Sequence, residues 1–359
     1  MGPLRVHPRG ALMRSVLVQD GRVGVVEVAD PEPGPGEVVV DVLACGVCGS
    51  DLHCARHGAA VNAATRHALG VELLDIARPV SLGHEFVGAI SEYGANTQQT
   101  LPAGTRVVSM AALMRATRAC VGFSGPEVPG GCSDRMLLSE PLLMPVPDHV
   151  DTAVAALTAP LVAASRTVDG AGLGPDDVVA VIGCGPVGLA VLAVLRSRGR
   201  RRIVAVDLSP ARRELAGRMG ADVVVDPART LGPLPLRPPV AFACGGAPGS
   251  QRAVADGSDT PRTVLAGPCL DTDSLGAEEI DVRFAPMCSP DRFFDVFDEL
   301  CAGRLDVAPM ISDHVSLDEV PGALTRLATD PCDAKVLVDP SRAAPAGVAE
   351  PVDVARATV

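Results

Sequence analysis

The sequence predicts an α/β protein in which a β-rich domain is joined to a doubly wound parallel sheet. Short Val-rich runs punctuated by Gly and Pro fill the first 158 of the 359 residues, and strands alternate with helices after Pro175. One Tyr, no Trp and seven Phe leave the core to Val, Leu, Ala and Ile, which are typical of parallel sheets and packed helices. The length favours two domains.

The β-rich domain is predicted over residues 1–158, completed by residues 289–340. Its turns are marked by Gly and Pro, as in the run from Pro31 to Gly36, and its strands are antiparallel. The predicted strands are Val23 to Val28, Glu37 to Leu43, Phe86 to Glu92 and Thr105 to Met110.

The parallel sheet is predicted over residues 159–288. A buried strand from Val178 to Ile182, a helix from Pro186 to Arg198 and a strand from Ile203 to Asp207 make a βαβ unit, and Ser209-Pro210 begins the next helix. Five prolines between residues 227 and 239 exclude a regular helix there. The further predicted strands are Asp222 to Val225, Val240 to Cys244, Thr263 to Ala266 and Ile280 to Phe284.

The last part of the chain predicts two helices and one strand. Pro290 begins a helix that ends near Gly303, and Ser316 with Glu319 forms a capping-box signal for another. Lys335 to Val338 reads as a strand. We expect residues 341–359 to be a loose tail.

Charge and composition exclude several classes of function. A net charge of −12 without a basic stripe argues against nucleic-acid binding, and no apolar run is long enough to span a membrane. Eleven cysteines without a signal-peptide pattern favour reduced thiols and a cytoplasmic location over a disulfide scaffold.

A candidate zinc site is formed by Cys48, His84 and Glu85. A thiolate, an imidazole and a carboxylate suit a catalytic zinc, which needs three protein ligands and an open position. We expect Asp51 to orient His84 and Ser50 to pass on the proton of an alcohol, with His53 as the final acceptor. A redox role for Cys45 and Cys48 is the weaker alternative, because no thioredoxin-like pattern surrounds them.

A dinucleotide site is predicted where the first strand of the parallel sheet ends. Gly183, Gly185 and Gly188 have the spacing of a phosphate-binding turn, and Pro186 and Val187 begin the helix whose free N–H groups face the pyrophosphate. Asp207 favours NAD over NADP, because a carboxylate accepts ribose hydroxyls and repels a 2′-phosphate. The basic Arg212 and Arg213 are the counter-argument. The predicted cofactor-binding residues are Gly183, Gly185, Pro186, Val187, Gly188, Asp207 and Arg212.

These motifs resemble the zinc-dependent medium-chain alcohol dehydrogenase/reductase superfamily. Its pattern Cys-Gly-(Ser/Thr)-Asp-x-His is met from Cys48 to His53, its Gly-His-Glu is met from Gly83 to Glu85, and the likeness covers roughly residues 15–340. It implies a GroES-like catalytic domain with an inserted Rossmann domain. The chain is most similar to the polyol-type members, in which Cys, His and the following Glu hold the metal.

Three departures from the family pattern affect these expectations. The family usually carries Glu, Asp or Cys at the position of Ala159, so one group in or beside the metal shell is missing. Residues 111–131 contain only Cys120, so we expect no structural zinc. The segment from residue 54 to 80 is longer than in better-known relatives, and its His57 and His67 read as solvated histidines on a surface insertion.

The sequence therefore predicts an NAD-dependent, zinc-containing alcohol dehydrogenase that acts on a small molecule. A homodimer or homotetramer is expected. Two alternatives stay open, namely a metal-free NAD(P)H-dependent quinone or enone reductase of the same superfamily and a non-catalytic NAD-binding protein with a decayed site.

Overall fold

A computed structural model gives the architecture of the chain. It describes residues 10–69, 74–115, 119–200, 202–229, 234–236, 238–244, 262–265, 289–329, 334–344 and 351–354. The described chain divides into two compact units, Met1–Ala159 with Asp313–Asp330 and Lys335–Val359, and Pro160–Ser312 with Pro331–Ala334. The predicted α/β class, with a β-rich part and a doubly wound parallel sheet, is confirmed.

The first unit is built mainly from β-strands. Its elements before the parallel sheet are β1 (Leu12–Gln19), β2 (Arg22–Ala29), β3 (Glu37–Gly46), α1 (Gly49–Leu69), β4 (Val80–Ser81), β5 (Phe86–Tyr93), β6 (Arg106–Val108), β7 (Ala112–Leu113), β8 (Ala119–Cys120), β9 (Arg135–Ser139), β10 (Met144–Pro145), α2 (Thr152–Ala155) and α3 (Thr158–Gly170), of which α3 continues into the second unit.

The parallel sheet and the C-terminal elements follow in chain order. They are β11 (Val179–Ile182), α4 (Pro186–Ser197), β12 (Ile203–Val206), α5 (Pro210–Arg218), β13 (Val223–Val225), β14 (Val240–Ala243), β15 (Arg262–Leu265), α6 (Pro290–Cys301), β16 (Ile311–Val315), α7 (Val320–Thr329), β17 (Lys335–Val338) and β18 (Val352–Asp353).

Two antiparallel sheets form the β-rich unit. One has the order β18-β2-β1-β4, and the other has the order β10-β6-β5-β3-β17-β16 with β9 also paired to β3. Buried Val and Leu side chains from both sheets make the core, as the Val-rich runs predict. At the end of β3, Cys45 lies opposite Phe86 of β5 and Val338 of β17, so three distant parts of the chain meet there.

The parallel sheet has the order β13-β12-β11-β14-β15. The order reverses at β11, so the crevice at the carboxyl end of this strand is the expected place for a ligand. Gly188 lets α4 lie close to the sheet, because a Cβ there would be 1.9 Å from the Gly183 carbonyl oxygen. The described residues between β13 and β14 contain no helix, as the five prolines predict.

Several sequence predictions need correction or lie outside the described residues. The sequence predicts no helix over residues 54–69, but they belong to α1 because this Ala-rich segment favours a helix, and His57 is exposed as predicted. The tail is not loose at Val352–Asp353, because β18 pairs with β2 and Val354 is fully buried. The predicted strand from Ile280 to Phe284 lies outside the described residues. No described helix is long and apolar enough to cross a membrane.

Candidate functional site

The strand pairing at the end of β3 brings the predicted metal ligands together. The backbone N–H of Gly46 donates to the Glu85 carbonyl over 2.7 Å, which fixes the loop carrying Cys48 beside the segment carrying His84. One donor atom each from Cys48, His84 and Glu85 lies within 4.8 Å of the others. Within the described residues, no other group of three such side chains is found.

Asp51 and Ser50 lie on opposite sides of the His84 ring. An Asp51 carboxylate oxygen is 3.4 Å from His84 Nδ1, and the Ser50 hydroxyl is 3.2 Å from Nε2. The other Asp51 oxygen accepts a hydrogen bond from the Cys48 backbone N–H over 2.9 Å. Phe123 covers the His84 ring, with ring centroids 4.7 Å apart. Asp51 therefore lies at Nδ1, and Nε2 is the ring nitrogen left for a metal ion.

The local charges favour a cation at this position. Burial alone would lower the pKa of His84, but the Asp51 carboxylate and Cys48 outweigh burial and raise that pKa well above its usual value. Asp51 Oδ1 and His84 Nδ1 are buried without a well-formed hydrogen bond. Thiolate, imidazole and carboxylate are also the donor types that zinc takes, so the residues present fit a zinc ion.

Sequence reasoning missed the partner of Glu85. Lys335 on β17 places its Nζ 2.7 Å from Glu85 Oε2 and 3.3 Å from the Val47 carbonyl oxygen, and the Lys335 and Glu85 side chains are 1% and 2% exposed. Burial lowers the pKa of Lys335, but Glu85 outweighs burial and the pKa is raised. One signal was available, because Lys335 is the only lysine and stands in an apolar strand.

The remaining thiols near the triad are not ligand candidates. Burial, followed by the Asp51 charge, raises the pKa of Cys54 to about 12, so this thiol stays protonated at neutral pH. Cys45 and Cys132 are buried with their sulfur atoms 3.9 Å apart. Ala159 lies in the first turn of α3, where its methyl group offers a metal no donor.

His53 occupies the same helix as Ser50 and Asp51. It is half-buried on α1, and its ring centroid lies 5.1 Å from that of His57, one helical turn later. Burial and the neighbouring His57 charge lower the pKa of His53.

The glycine-rich turn follows β11 directly, as the sequence predicts. Gly183 has a φ of +87°, which L-residues with a side chain rarely adopt. Gly185, Pro186 and Val187 are partly exposed at the start of α4, where backbone N–H groups lack intrahelical partners. The turn therefore offers the free N–H donors that bind a pyrophosphate.

Asp207 connects this turn to the end of β12. Its two carboxylate oxygens accept hydrogen bonds of 2.7 Å from the backbone N–H groups of Cys184 and Ser209. A carboxylate has about four lone-pair positions, so both oxygens can accept further donors.

The two arginines of α5 differ in their contacts. Arg213 pairs with Asp226 over 3.1 Å and donates to the carbonyl oxygens of Asp207 and Leu208. Arg212 lies beside the turn, because a Cβ at Gly185 would be 3.7 Å from its Nη1, and its buried Nε has no hydrogen-bond partner. Arg212 is thus the arginine placed to meet a phosphate.

Comparison with known proteins shows which proteins this chain is similar to in sequence. Residues 34–148 match the model of the alcohol dehydrogenase GroES-like domain family. Over 219 residues the chain is 33% identical to (R,R)-butanediol dehydrogenase of Bacillus subtilis (strain 168), a match covering 58% of this chain and 61% of that protein. It is 31% identical over 232 residues to L-threonine 3-dehydrogenase of Streptomyces avermitilis, covering 61% of this chain and 64% of that protein. The matched region thus spans about three fifths of the length of these curated relatives.

The likeness extends to a solved structure. The crystal structure of 2R,3R-butanediol dehydrogenase from Bacillus subtilis superimposes with a TM-score of 0.72 at 25% identity, covering 92% of this chain and all of that one. This share of the chain is larger than either compact unit, so the likeness includes residues of both.

Proposed function

The chain belongs to the zinc-type medium-chain alcohol dehydrogenase/reductase family, and on that premise we propose that it interconverts an alcohol and an aldehyde or ketone with NAD as hydride carrier. The observation that carries this proposal is the convergence of Cys48, His84 and Glu85, with donor atoms within 4.8 Å of one another. The glycine-rich turn after β11 supports the choice of a dinucleotide as the second reactant.

Each site residue has a role that its position supports. When bound, zinc would draw electron density from the alcohol oxygen and NAD would accept the hydride. Cys48, His84 and Glu85 hold the ion, and Asp51 fixes the His84 ring through Nδ1. Ser50, beside the ligand triad, takes the proton of the alcohol, and His53 carries it towards solvent.

We propose one catalytic zinc and a preference for NAD over NADP. Asp207 disfavours a 2′-phosphate by charge repulsion and retains lone pairs for ribose hydroxyls. We assign Arg212 to the pyrophosphate, which NAD and NADP share, because its guanidinium lies against Gly185 in the phosphate-binding turn. Arg213 is already engaged with Asp226, which leaves it less able to recognise a 2′-phosphate.

A pair of cysteine variants tests the metal site. We expect Cys48→Ala to abolish stoichiometric zinc binding and NAD reduction, because a thiolate ligand is removed. Cys54→Ala is the matched control, since this nearby thiol is protonated at neutral pH and should leave both unchanged. Zinc content by elemental analysis, with rates on an alcohol and ketone panel, measures both. Undiminished activity of Cys48→Ala contradicts the assignment.

The cofactor assignment is tested at Asp207. We expect Asp207→Ala to weaken NAD binding and to reduce the difference in affinity between NAD and NADP. Calorimetry gives the dissociation constants of both cofactors. Arg212→Ala should weaken both cofactors by similar factors, because both carry the pyrophosphate. A loss confined to NADP in Arg212→Ala would instead place this arginine at the 2′-phosphate.

The metal-free reductase and the decayed NAD-binding protein are not favoured. The ligand triad, with Asp51 and Ser50 against His84, is the machinery that either alternative would lack. About one equivalent of tightly bound zinc argues against the first alternative, and turnover of any alcohol argues against the second.

We further propose a cytoplasmic homodimer or homotetramer that acts on a small-molecule alcohol without nucleic acid or membrane partners. The neighbouring sulfur atoms of Cys45 and Cys132 are 3.9 Å apart and form no disulfide, which supports a reducing compartment. Light scattering coupled to size-exclusion chromatography gives the subunit number.

A further inference from the structure

Helix α1 carries a second imidazole beside the proposed proton acceptor. His53 and His57 are four residues apart, and their ring centroids are 5.1 Å apart with the planes tilted by 57°. His53 is half-buried, whereas His57 is exposed. At this separation one water molecule can bridge the two rings and carry a proton between them.

The turn that carries His57 is held in place from both sides. Arg56 donates through Nε to the Val354 carbonyl oxygen over 2.9 Å, which ties the helix to the C-terminal segment. Farther along α1, the buried Asn62 amide pairs with both the N–H and the carbonyl of Leu74, over 2.8 and 2.7 Å. His57 itself has a non-helical backbone, with φ −133° and ψ 32°. The approach of the two rings is therefore supported by the fold around them.

The two imidazoles differ in their access to water. Burial, followed by the charge of His57, lowers the pKa of His53, so a proton on His53 is held less firmly than on a free imidazole. The charge of His57 acts in the same direction as burial on this pKa. A positive charge on the exposed His57 is solvated, and buffer can reach its ring.

We propose that His57 receives the proton that leaves through His53 and hands it to solvent. The His53 imidazolium gives one proton to neutral His57, and the His57 imidazolium gives it to water or buffer, with no change in electron count. This inference rests on the proposed dehydrogenase function. It makes His57 a relay residue that acts through His53 and does not contact the substrate.

Chemical rescue tests the relay. On zinc-loaded enzyme at fixed pH and ionic strength, we expect His57→Ala and His57→Gln to lower kcat for alcohol oxidation by about 10-fold in dilute buffer, with KM unchanged. This loss of rate is smaller than the ~100-fold or more expected when a group that transfers a proton in the transition state is removed, because His53 remains. Added imidazole should restore the rate in His57→Ala. The control His314→Ala removes another exposed histidine and should match the wild type.

A second measurement does not depend on turnover. In protein labelled with ¹³C-histidine, with His53→Gln used for assignment, the pKa of His53 should rise in His57→Ala because a neighbouring positive charge is lost. An unchanged His53 titration, or an active wild type whose kcat is unaffected by His57→Ala in dilute buffer, overturns the relay. A wild type without dehydrogenase activity instead overturns the proposed function, and the two failures are therefore distinguishable.

Discussion

The buried ion pair between Lys335 and Glu85 links the metal site to the core of the β-rich unit. Both side chains are almost fully shielded from water, and the pair joins residues 250 positions apart in the sequence. Two charges so deeply buried are tolerated because each satisfies the other and Val47 accepts a further hydrogen bond. Lys335 therefore holds one oxygen of Glu85 and restricts how the carboxylate turns towards the ligand triad.

Removing one partner should leave an uncompensated buried charge. We expect Lys335→Met to lower the free energy of unfolding of the metal-free protein by about 3–5 kcal/mol. The double variant Lys335→Met with Glu85→Gln should lose less stability than the two single variants lose together, because no charge is left buried. Urea unfolding of all four proteins gives the coupling energy. Additive effects would contradict a direct interaction.

A second carboxylate, Glu37, should give the protein an acid-sensitive stability. Arg115 donates to its two oxygens over 2.5 and 2.8 Å and the Gly34 N–H donates over 3.0 Å. Burial alone raises the pKa of Glu37, but these donors outweigh it and the pKa is lowered from its usual value near 4.5. The stabilisation is present above that usual value and is lost as the pH falls through the lowered one.

We therefore expect Glu37→Gln to be less stable than the wild type at pH 7, with the difference shrinking below about pH 4.5. Glu127→Gln is the control, because Glu127 and its partner Arg78 are 55% and 52% exposed and such a pair contributes little. Urea midpoints between pH 7 and 3 measure both. A difference independent of pH would show that the ion pair is not its source.

Residue types at the site were predictable from the sequence, but their partners were not. The triad stands in two short motifs, so Cys48, His84 and Glu85 were selected without knowledge of the fold. Lys335 was missed because strand pairing, and not local spacing, brings it to Glu85. The exposure of His57 is predictable from the sequence, but its approach to His53 is not, because that approach depends on helix α1, which the sequence does not predict.

At the scale of the elements, Gly83 forms a tightly packed turn immediately before His84 and Glu85. Its φ is +99°, and a Cβ there would lie 2.4 Å from the Cys132 backbone nitrogen and 2.8 Å from Cys45 Sγ. Because one of these atoms belongs to the Cys132 backbone, movement of side chains alone cannot make room for a Cβ at Gly83. Only glycine therefore lets the chain turn from β4 into the segment that carries His84 and Glu85.

We expect Gly83→Ala to lower stability by about 1–2 kcal/mol for the left-handed backbone and by about 1–3 kcal/mol more for the clash. It should also weaken zinc binding, because His84 follows directly. Gly104→Ala is the matched control, since Gly104 has a φ of +83° with open space around its Cα. Thermal unfolding and zinc titration separate the two variants. Equal losses in both would exclude a packing role.

Strands were easier to predict than the helix α1. Val-rich runs bounded by Gly and Pro predicted β3, β5 and β11 within a few residues, because buried strands require such runs. Residues 54–69 have few large apolar side chains, so they carry no helical period, although alanine favours a helix. β18 was missed because it is only two residues long.

At the scale of the molecule, the two proposed ligands belong to different units. The metal residues lie in the unit that contains Met1–Ala159, and the glycine-rich turn lies in the unit that contains Pro160–Ser312. From the change of pattern after Pro175, the sequence predicts one domain over residues 1–158 with 289–340 and another over residues 159–288, and these boundaries stay predictions.

Each ligand should therefore protect its own segments from hydrogen exchange. A ligand at 100 times its dissociation constant stabilises the state that binds it by about 2.7 kcal/mol. We expect zinc to slow exchange in residues 45–53 and 82–88, and NAD to slow it in residues 179–190 and 203–213. Mass spectrometry of apo, zinc-loaded and NAD-loaded protein measures this. Zinc protection confined to the parallel sheet would contradict the proposed site.

Lys335, the only lysine of the chain, lies in the paired strand β17, so reactions specific for lysine report whether this strand has opened. A protease specific for lysyl peptide bonds finds one cleavage position in all 359 residues, and β17 hides it between β3 and β16. Cleavage requires release of this strand, and when opening and closing are fast relative to cleavage, the cleavage rate reports the open population without any label. Amine-directed cross-linkers are likewise excluded from this side chain until the sheet comes apart.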